Sequence, residues 1–318
     1  MLPFKLVYHP GYDLNLGSHV FPSTKYRLIR ERLLDEGFAG PGDFDQPEPA
    51  TDEQVLLVHD PGWVSRLKEG KLSYAELLKL EIPYSRQTID AFWLAAGGSI
   101  LAGRNALRDR VGFNVGGGFH HAFRAHGEGF CAINDIAIAI RTLQSEGAIE
   151  RAMVIDCDVH HGNGTAAIFA GDPNVFTISI HQFDNYPSEK PPSSVDIDLP
   201  DLVEDEQYLQ LLQKPYAAAL AAFRPNLVVF VAGADPYKED QLGGLSLTID
   251  GLRRRDLLVT ETALAHQAAV LVVLAGGYAV NVHDTVTIHC NTVKTASQVL
   301  ADKSLIYNGT MPTKSLGL

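Results

Sequence analysis

A strand that runs directly into ionisable side chains constrains this chain more than any other segment. The apolar residues 152–155 are followed at once by Asp156, Asp158 and His160, and a glycine-rich turn comes next. Because alternate side chains of an extended segment share a face, the two carboxylates and the imidazole can point the same way from the strand end. Oxygen and nitrogen donors that converge in this way suit a divalent metal ion.

Apolar runs and helical patterns alternate along the rest of the chain. Strands are predicted over residues 5–9, 111–115, 152–157, 175–180, 227–232 and 270–274, and helices over about 25–34, 51–59, 60–68, 86–108, 134–146, 164–169, 204–223, 252–266 and 284–300. Residues 70–85 and the proline- and serine-rich segment after residue 181 are predicted as irregular. This alternation is typical of an α/β fold with a mostly parallel central sheet and helices on both faces.

No internal repeat and no long linker divides the sequence, so we expect a single domain over residues 1–318. In parallel sheets, ligands bind at the carboxyl ends of the strands. Every segment rich in chemically active side chains follows directly after a predicted strand. We therefore expect the active site at the edge of the sheet where the strands end.

The balance of charge and the use of cysteine exclude several classes of protein. The chain has 26 Lys plus Arg and 38 Asp plus Glu, a net charge of −12, which opposes binding to nucleic acid or to an anionic membrane surface. Its cysteines, Cys131, Cys157 and Cys290, have no zinc-finger or CxxC spacing, so no disulfide framework is indicated. No signal-peptide pattern and no apolar run of about 20 residues occurs. We expect a cytoplasmic protein.

Three residues are candidate ligands of a catalytic metal ion. Asp158 and His160 follow one predicted strand, and Asp235 follows another. Three protein ligands that leave room for water and substrate are typical of catalytic zinc, although carboxylate-rich sites also suit Mn²⁺ or Fe²⁺. A lone aspartate such as Asp235 more often caps a turn. Asp158 and His160 are harder to explain structurally, because unpaired ionisable groups at a buried strand end are costly.

Two further strand ends carry groups suited to proton transfer. His120 and His121 follow three glycines, and adjacent imidazoles can act as acid and base near neutral pH. Tyr278 follows two glycines, and its phenol could donate a hydrogen bond to an oxyanion, although most tyrosines are core or rim residues. Cys157 lies between two aspartates and faces the other side of the strand, where we expect it to pack in the core.

Together these segments resemble the zinc-dependent histone deacetylase family and its arginase/deacetylase fold. The matching segments occur in the order of that family, at residues 114–121, 129–131, 155–164, 176–181, 233–235, 242–246 and 276–278. Residues 20–26 and the compact length are most similar to the class IV branch and its bacterial homologues.

The resemblance implies a role for each matched residue. It implies that zinc is bound by Asp158, His160 and Asp235, and that a structural potassium ion is bound at Asp156, Asp158, His160, Ser179 and Ile180. It implies that His120 and His121 are the acid–base pair, oriented by Asp156 and Asn163, and that Tyr278 donates a hydrogen bond to the oxyanion. It also implies an acyl-lysine tunnel lined by Gly129, Phe130 and Tyr186. Part of the family has aspartate where this chain has Asn163. A neutral amide stabilises an imidazolium less well, so His121 should lose its proton more easily.

The resemblance also implies the reaction, which is hydrolysis of an acyl group from lysine in a protein or peptide. The acyl group can be acetyl or a longer fatty acyl chain. A small acylated amine, such as an acetylpolyamine, is the alternative substrate on the same scaffold. An arginase-like enzyme would use two manganese ions and more aspartate ligands. A non-catalytic module that binds acyl-lysine is a further alternative, which the full set of catalytic residues disfavours.

Overall fold

A parallel sheet forms the centre of the computed structural model, which describes residues 1–307. Its strands are β1 (Leu6–Val7), β2 (Phe44–Asp45), β3 (Val111–Asn114), β4 (Ala152–Asp156), β5 (Val175–Gln182), β6 (Val195–Leu199), β7 (Leu227–Val231) and β8 (Ala269–Val273). They lie in the order β2-β1-β3-β8-β7-β4-β5-β6, and each neighbouring pair is parallel. The prediction of a mostly parallel sheet is confirmed, and these strands end at one common edge.

Helices cover the sheet in two groups. They are α1 (Lys25–Asp35), α2 (Asp52–Leu56), α3 (Pro61–Glu69), α4 (Tyr74–Leu80), α5 (Arg86–Asp109), α6 (Asp135–Ser145), α7 (Asn163–Ile168), α8 (Asp205–Phe223), α9 (Ile249–Ala265) and α10 (Val282–Tyr307). Helix α5 packs on α6 and against β3 and β8, whereas α9 packs on α8 and α10 and also against β8. Among residues 1–307, no helix is long and apolar enough to cross a membrane. The predicted single domain over 1–318 extends past the described residues and stays a prediction.

Strand β4 places a carboxylate inside the protein. All its residues are buried, and its neighbours are β5 on one side and β7 on the other. In this register Asp156, its last residue, lies between Ser179 and Val231. The loops that follow β4, β5 and β7 therefore begin side by side at the sheet edge.

The prediction that residues 70–85 are irregular was wrong, because α4 lies within them. Ser73 caps this helix by accepting from the Glu76 amide, and the Glu76 carboxylate accepts from the Ser73 amide in return. This capping box is a sequence signal for a helix start. The helix is short and exposes Tyr74 and Leu78, so its apolar pattern is weak.

Two strands, β2 and β6, lie outside the predicted strands. Strand β2 has two residues, too few for a periodic pattern. Strand β6 alternates half-buried apolar residues with exposed aspartates, Asp196 and Asp198, because it is the edge strand and is paired only with β5. A strand with one solvent-exposed face does not have the continuous apolar pattern of the central strands. Helix α9 also begins earlier than predicted, at Ile249, because Thr248 accepts from the Gly251 amide.

His59 ties the α2–α3 junction to the loop that follows β3. Its Nδ1 lies 2.9 Å from the Phe123 carbonyl oxygen, and its Nε2 accepts from the Asn134 amide at 2.9 Å. The ring is buried, and burial lowers the pKa of His59 to about 4. The neutral imidazole thus joins Phe123, two residues after His121, to Asn134 at the start of α6.

We expect the contribution of His59 to the free energy of unfolding to decrease as the pH falls from about 6.5 to about 4. An unfolded histidine titrates near pH 6.5, so in this window the unfolded chain binds a proton that the folded chain does not. Stability from the neutral ring is present above pH 6.5 and is lost on acidification, by up to about 1.4 kcal/mol per pH unit. In urea unfolding, the difference between the free energies of unfolding of the wild type and of His59→Gln should become smaller as the pH falls. An equal difference at pH 7 and pH 5 would contradict this assignment.

Candidate active site

Loops at the carboxyl ends of β3, β4, β7 and β8 bring the predicted site residues together. These residues are His120, His121, Asp156, Asp158, His160, Asn163, Asp235 and Tyr278, and all of them are buried. The groups come from positions more than 150 residues apart in the chain, yet they form one continuous set of contacts.

The three predicted metal ligands form a compact cluster. Their ligating atoms all lie within 4.8 Å of one another. His160 Nδ1 is 2.9 Å from Asp158 Oδ1 and 3.4 Å from Asp235 Oδ2. Backbone amides hold the other oxygens: Val159 N–H donates to Asp235 Oδ1 at 2.9 Å, and Gly276 N–H donates to Asp158 Oδ2 at 2.8 Å.

Asp235 does more than cap a turn. Its side chain is fully buried, and among residues 1–307 its Oδ2 has no hydrogen-bond partner, although it lies 3.4 Å from His160 Nδ1. Burial and the neighbouring Asp158 raise the pKa of Asp235 to about 7. Burial alone would lower the pKa of His160, but the hydrogen bond to Asp158 and the nearby carboxylate of Asp235 raise it to about 10. The cluster therefore favours positive charge, and its two carboxylates and one imidazole fit a divalent cation such as Zn²⁺, with Mn²⁺ or Fe²⁺ also compatible.

The two adjacent histidines have different partners. His120 Nδ1 is 2.7 Å from Asp156 Oδ2, and His121 Nδ1 is 2.8 Å from Asn163 Oδ1. Burial opposes the charge of His120, but Asp156 and Asp158 raise its pKa to about 9. Burial and the nearby His120 and His160 hold the pKa of His121 well below its usual value. One imidazole is thus held charged and the other neutral, which is the arrangement of an acid–base pair.

Glu128, which no sequence motif indicated, is also part of this network. Asn163 Nδ2 donates to Glu128 Oε1 at 2.5 Å. A carboxylate can only accept, so this contact fixes the amide with its oxygen towards His121, and His121 Nδ1–H must be the donor. Burial raises the pKa of Glu128, but hydrogen bonds from His126, Lys79 and Asn163 lower it to about 2. Its only sequence signal was its position next to Gly129.

The cluster opens into a cavity of about 430 Å³. Its wall includes His121, His160, Tyr278 and all three predicted tunnel residues, Gly129, Phe130 and Tyr186. The Tyr186 ring meets the His121 ring edge-on, with centroids 5.0 Å apart. A Cβ on Gly129 would lie 2.8 Å from Tyr186, and its φ of +52° also favours glycine. A side chain at this position would narrow the cavity.

Tyr278 is held beside the cluster with its phenol protonated. Its ring centroid lies 6.3 Å from that of His160, and its backbone N–H donates to Asp240 Oδ2 at 2.6 Å. Burial and the carboxylates of Asp158 and Asp235 raise its pKa well above 10. The phenol is therefore a hydrogen-bond donor at neutral pH.

Lys25 is a second buried residue that the sequence analysis missed. Its Nζ donates to the Ala275 carbonyl oxygen at 2.6 Å and lies over the rings of Phe21 and Tyr278, at 5.1 and 6.0 Å from their centroids. Burial lowers its pKa to about 8. Lys25 thereby supports the loop that carries Tyr278. It lies within the matched segment 20–26, in which no role had been given to a lysine.

Three of the five predicted potassium positions lie on neighbouring strands, and the other two, Asp158 and His160, lie in the loop after β4. Asp156 and Ser179 are register partners on β4 and β5, and Ile180 is the next residue on β5. Ser179 Oγ lies 3.0 Å from His181 Nδ1. The potassium ion itself stays a prediction.

Comparison with known proteins identifies the family. A model of the histone deacetylase domain matches residues 19–293. The chain belongs to the histone deacetylase family. It is 41% identical to an uncharacterised protein of Picosynechococcus sp. over 287 residues, which cover 90% of this chain and 96% of that protein. It is 28% identical to histone deacetylase 2 of Arabidopsis thaliana, over 86% of this chain and 74% of that protein.

A solved structure, the crystal structure of the HDA15 HD domain, has the same fold. It superposes with a TM-score of 0.78 at 24% identity, over 95% of this chain and 93% of that one. The predicted family and fold are thus confirmed. Family membership makes the protein a deacetylase, a hydrolase that acts on acylated substrates.

Glu128→Gln should lower kcat/KM on an acetylated substrate about tenfold or more. Glutamine can still accept from Asn163, but it removes the negative charge that favours a protonated His121. The acid limb of the kcat/KM profile should move to lower pH. Glu146→Gln, an exposed change, is the control. An unaltered pH profile in Glu128→Gln would show that the carboxylate does not act on His121.

Proposed function

We propose that this protein is a zinc-dependent deacylase that hydrolyses the amide bond between an acyl group and the side-chain nitrogen of lysine. One observation carries the proposal: two adjacent histidines, one paired with Asp156 and the other with the amide of Asn163, lie next to a cluster of three possible metal ligands that opens into a cavity. Residues 20–26 support a place closest to the class IV branch.

Asp158, His160 and Asp235 would hold the zinc ion. When bound, zinc would polarise the substrate carbonyl and lower the pKa of a water molecule. The buried, unpartnered Oδ2 of Asp235 supports this assignment, because a cation would satisfy it. The two backbone amides that bind the other carboxylate oxygens orient both ligands before the ion arrives.

His121 acts first as the base and then as the acid. Its Nδ1–H is fixed by Asn163, so Nε2 is left with a lone pair that can take a proton from water. The same proton then passes to the leaving amine of lysine. The charge on Glu128, which reaches His121 through Asn163, stabilises the transient imidazolium.

His120 and Tyr278 stabilise negative charge in the transition state. His120 stays protonated because Asp156 lies 2.7 Å from its Nδ1. Its positive charge favours the developing oxyanion. The Tyr278 phenol remains protonated and donates a hydrogen bond to the same oxygen.

The cavity suits the aliphatic stem of an acylated lysine. Phe130 and Tyr186 provide apolar walls, and Gly129 leaves the passage between them open. Glu81 also lines this cavity and supplies a carboxylate. That carboxylate and the net charge of −12 equally suit the free amine of an acetylated polyamine, which is the second candidate substrate.

Tyr278→Phe should lower kcat by about 10²–10³ and leave metal content unchanged. The substitution removes a single donor and keeps the ring that packs against Phe130 and Phe21. Steady-state kinetics together with elemental analysis would measure both quantities. Tyr74→Phe, at an exposed tyrosine, should behave as the wild type. Full activity in Tyr278→Phe would remove this residue from the mechanism.

A substrate panel tests the proposed function. Peptides that carry lysine acylated with acetyl to myristoyl groups should be hydrolysed with a higher kcat/KM than acetylated polyamines. A chelator should abolish turnover and added Zn²⁺ should restore it, whereas His121→Ala should stay inactive in both conditions. Faster hydrolysis of polyamines would favour the second candidate. Binding of acyl-lysine without any turnover would favour a binding module.

A further inference from the structure

We infer that His161, His181 and Asp196 form a second divalent metal site, separate from the active site. Their ligating atoms lie within 4.8 Å of one another. The ring centroids of His161 and His181 are 4.6 Å apart, and His161 Nε2 lies 3.1 Å from Asp196 Oδ1. The inference does not depend on the proposed deacylase function.

The two imidazoles are buried and incompletely satisfied. His161 is fully buried and His181 is 1% exposed, and within residues 1–307 His161 Nδ1 and His181 Nε2 make no hydrogen bond, although the Asp198 carboxylate lies 3.2 Å from His181 Nε2. Leaving such a buried polar atom unpaired costs about 1–3 kcal/mol. An ion between the imidazoles and the carboxylates would satisfy one of these atoms, His181 Nε2.

Ser179 orients the His181 ring in the way that binding a metal requires. His181 Nδ1 lies 3.0 Å from Ser179 Oγ. With Nδ1–H donating to this hydroxyl, Nε2 presents a bare lone pair. Metal-binding histidines use the same arrangement, in which one ring nitrogen donates to an oxygen and the other binds the ion.

The register of β5 and β6 supplies carboxylates on the same side. Ser179 pairs with Asp196, and His181 pairs with Asp198. The Asp196 side chain is 27% exposed, so an ion could enter from solvent. Asp198 Oδ1 lies 3.2 Å from His181 Nε2, and its side chain is 53% exposed, which offers a further oxygen at the edge of the site.

The donor set indicates the class of metal. Two imidazoles and a carboxylate suit Zn²⁺ and related first-row transition metals, whereas Mg²⁺ and Ca²⁺ prefer oxygen ligands. None of the three residues belongs to the cluster of Asp158, His160 and Asp235 or lines its cavity. Consecutive histidines, 160 and 161, thus serve two different sites.

Through its ligands, the second ion would link the edge of the sheet to the loops of the candidate active site. It would join the loop after β4, the end of β5 and the edge strand β6. Asp196 Oδ2 also accepts from the Ser193 amide at 3.0 Å, at the end of the loop that carries Tyr186. An ion at this place would therefore stabilise the wall of the substrate cavity without contacting substrate.

Metal stoichiometry tests the inference with Zn²⁺ as the probe. Chelator-treated protein is titrated calorimetrically, and its metal content is measured after dialysis. The wild type should bind two ions per chain, Asp158→Ala and Asp196→Asn one each, and the double variant none. The exposed change Asp184→Asn, in the loop before β6, should keep two.

Thermal unfolding gives a second readout that needs no catalytic activity. Zn²⁺ should raise the Tm of Asp158→Ala, because an ion that binds only the folded chain stabilises it, and this rise should vanish in Asp158→Ala/Asp196→Asn. Asp196 lies at the exposed edge, so its replacement by asparagine tests the site without disturbing the core. One zinc per wild-type chain together with none in Asp158→Ala would overturn the inference.

Discussion

The structure depends on buried negative charge at the ends of parallel strands. Asp156, Asp158 and Asp235 are all buried at one edge of the sheet. A carboxylate in such a place is unfavourable unless it is paired and hydrogen-bonded. Backbone amides of the strand-end loops satisfy some of the oxygens, and imidazoles or a metal ion must satisfy the rest. The glycines around these loops let the backbone come close enough to do so.

The same charges separate the two active-site histidines. His120 faces Asp156 directly and is held as an imidazolium, whereas His121 reaches a carboxylate only through the amide of Asn163. Part of the family has an aspartate at the position of Asn163. In this chain the negative charge lies one residue further from His121, on Glu128, which accepts a hydrogen bond from Asn163. The charge on His120 in turn disfavours a second proton on His121. The different charges of the two imidazoles thus follow from their partners, and this difference supports the proposed acid–base pair.

Sequence alone predicted most of the fold and most of the candidate site. The central strands are continuous apolar runs because both faces of the sheet are covered, and this pattern reads directly from the chain. Helix α4 was not predicted because it is short. Strand β6 was not predicted because it lies at the edge of the sheet and has exposed aspartates on one face. Periodicity reports burial, so elements that bury little leave a weak pattern.

The sequence by itself determined the family and the parallel sheet, and it predicted the aspartates and histidines at the ends of β3 and β4 as candidate site residues. Only the tertiary structure decided which distant groups meet. Asp235 alone is compatible with a turn cap, and its unpaired oxygen beside His160 appears only when β7 lies next to β4. Glu128 and Lys25 likewise gained their roles from partners far along the chain. A sequence specifies which side chains are available, but the register of its strands determines which charges lie within reach of one another.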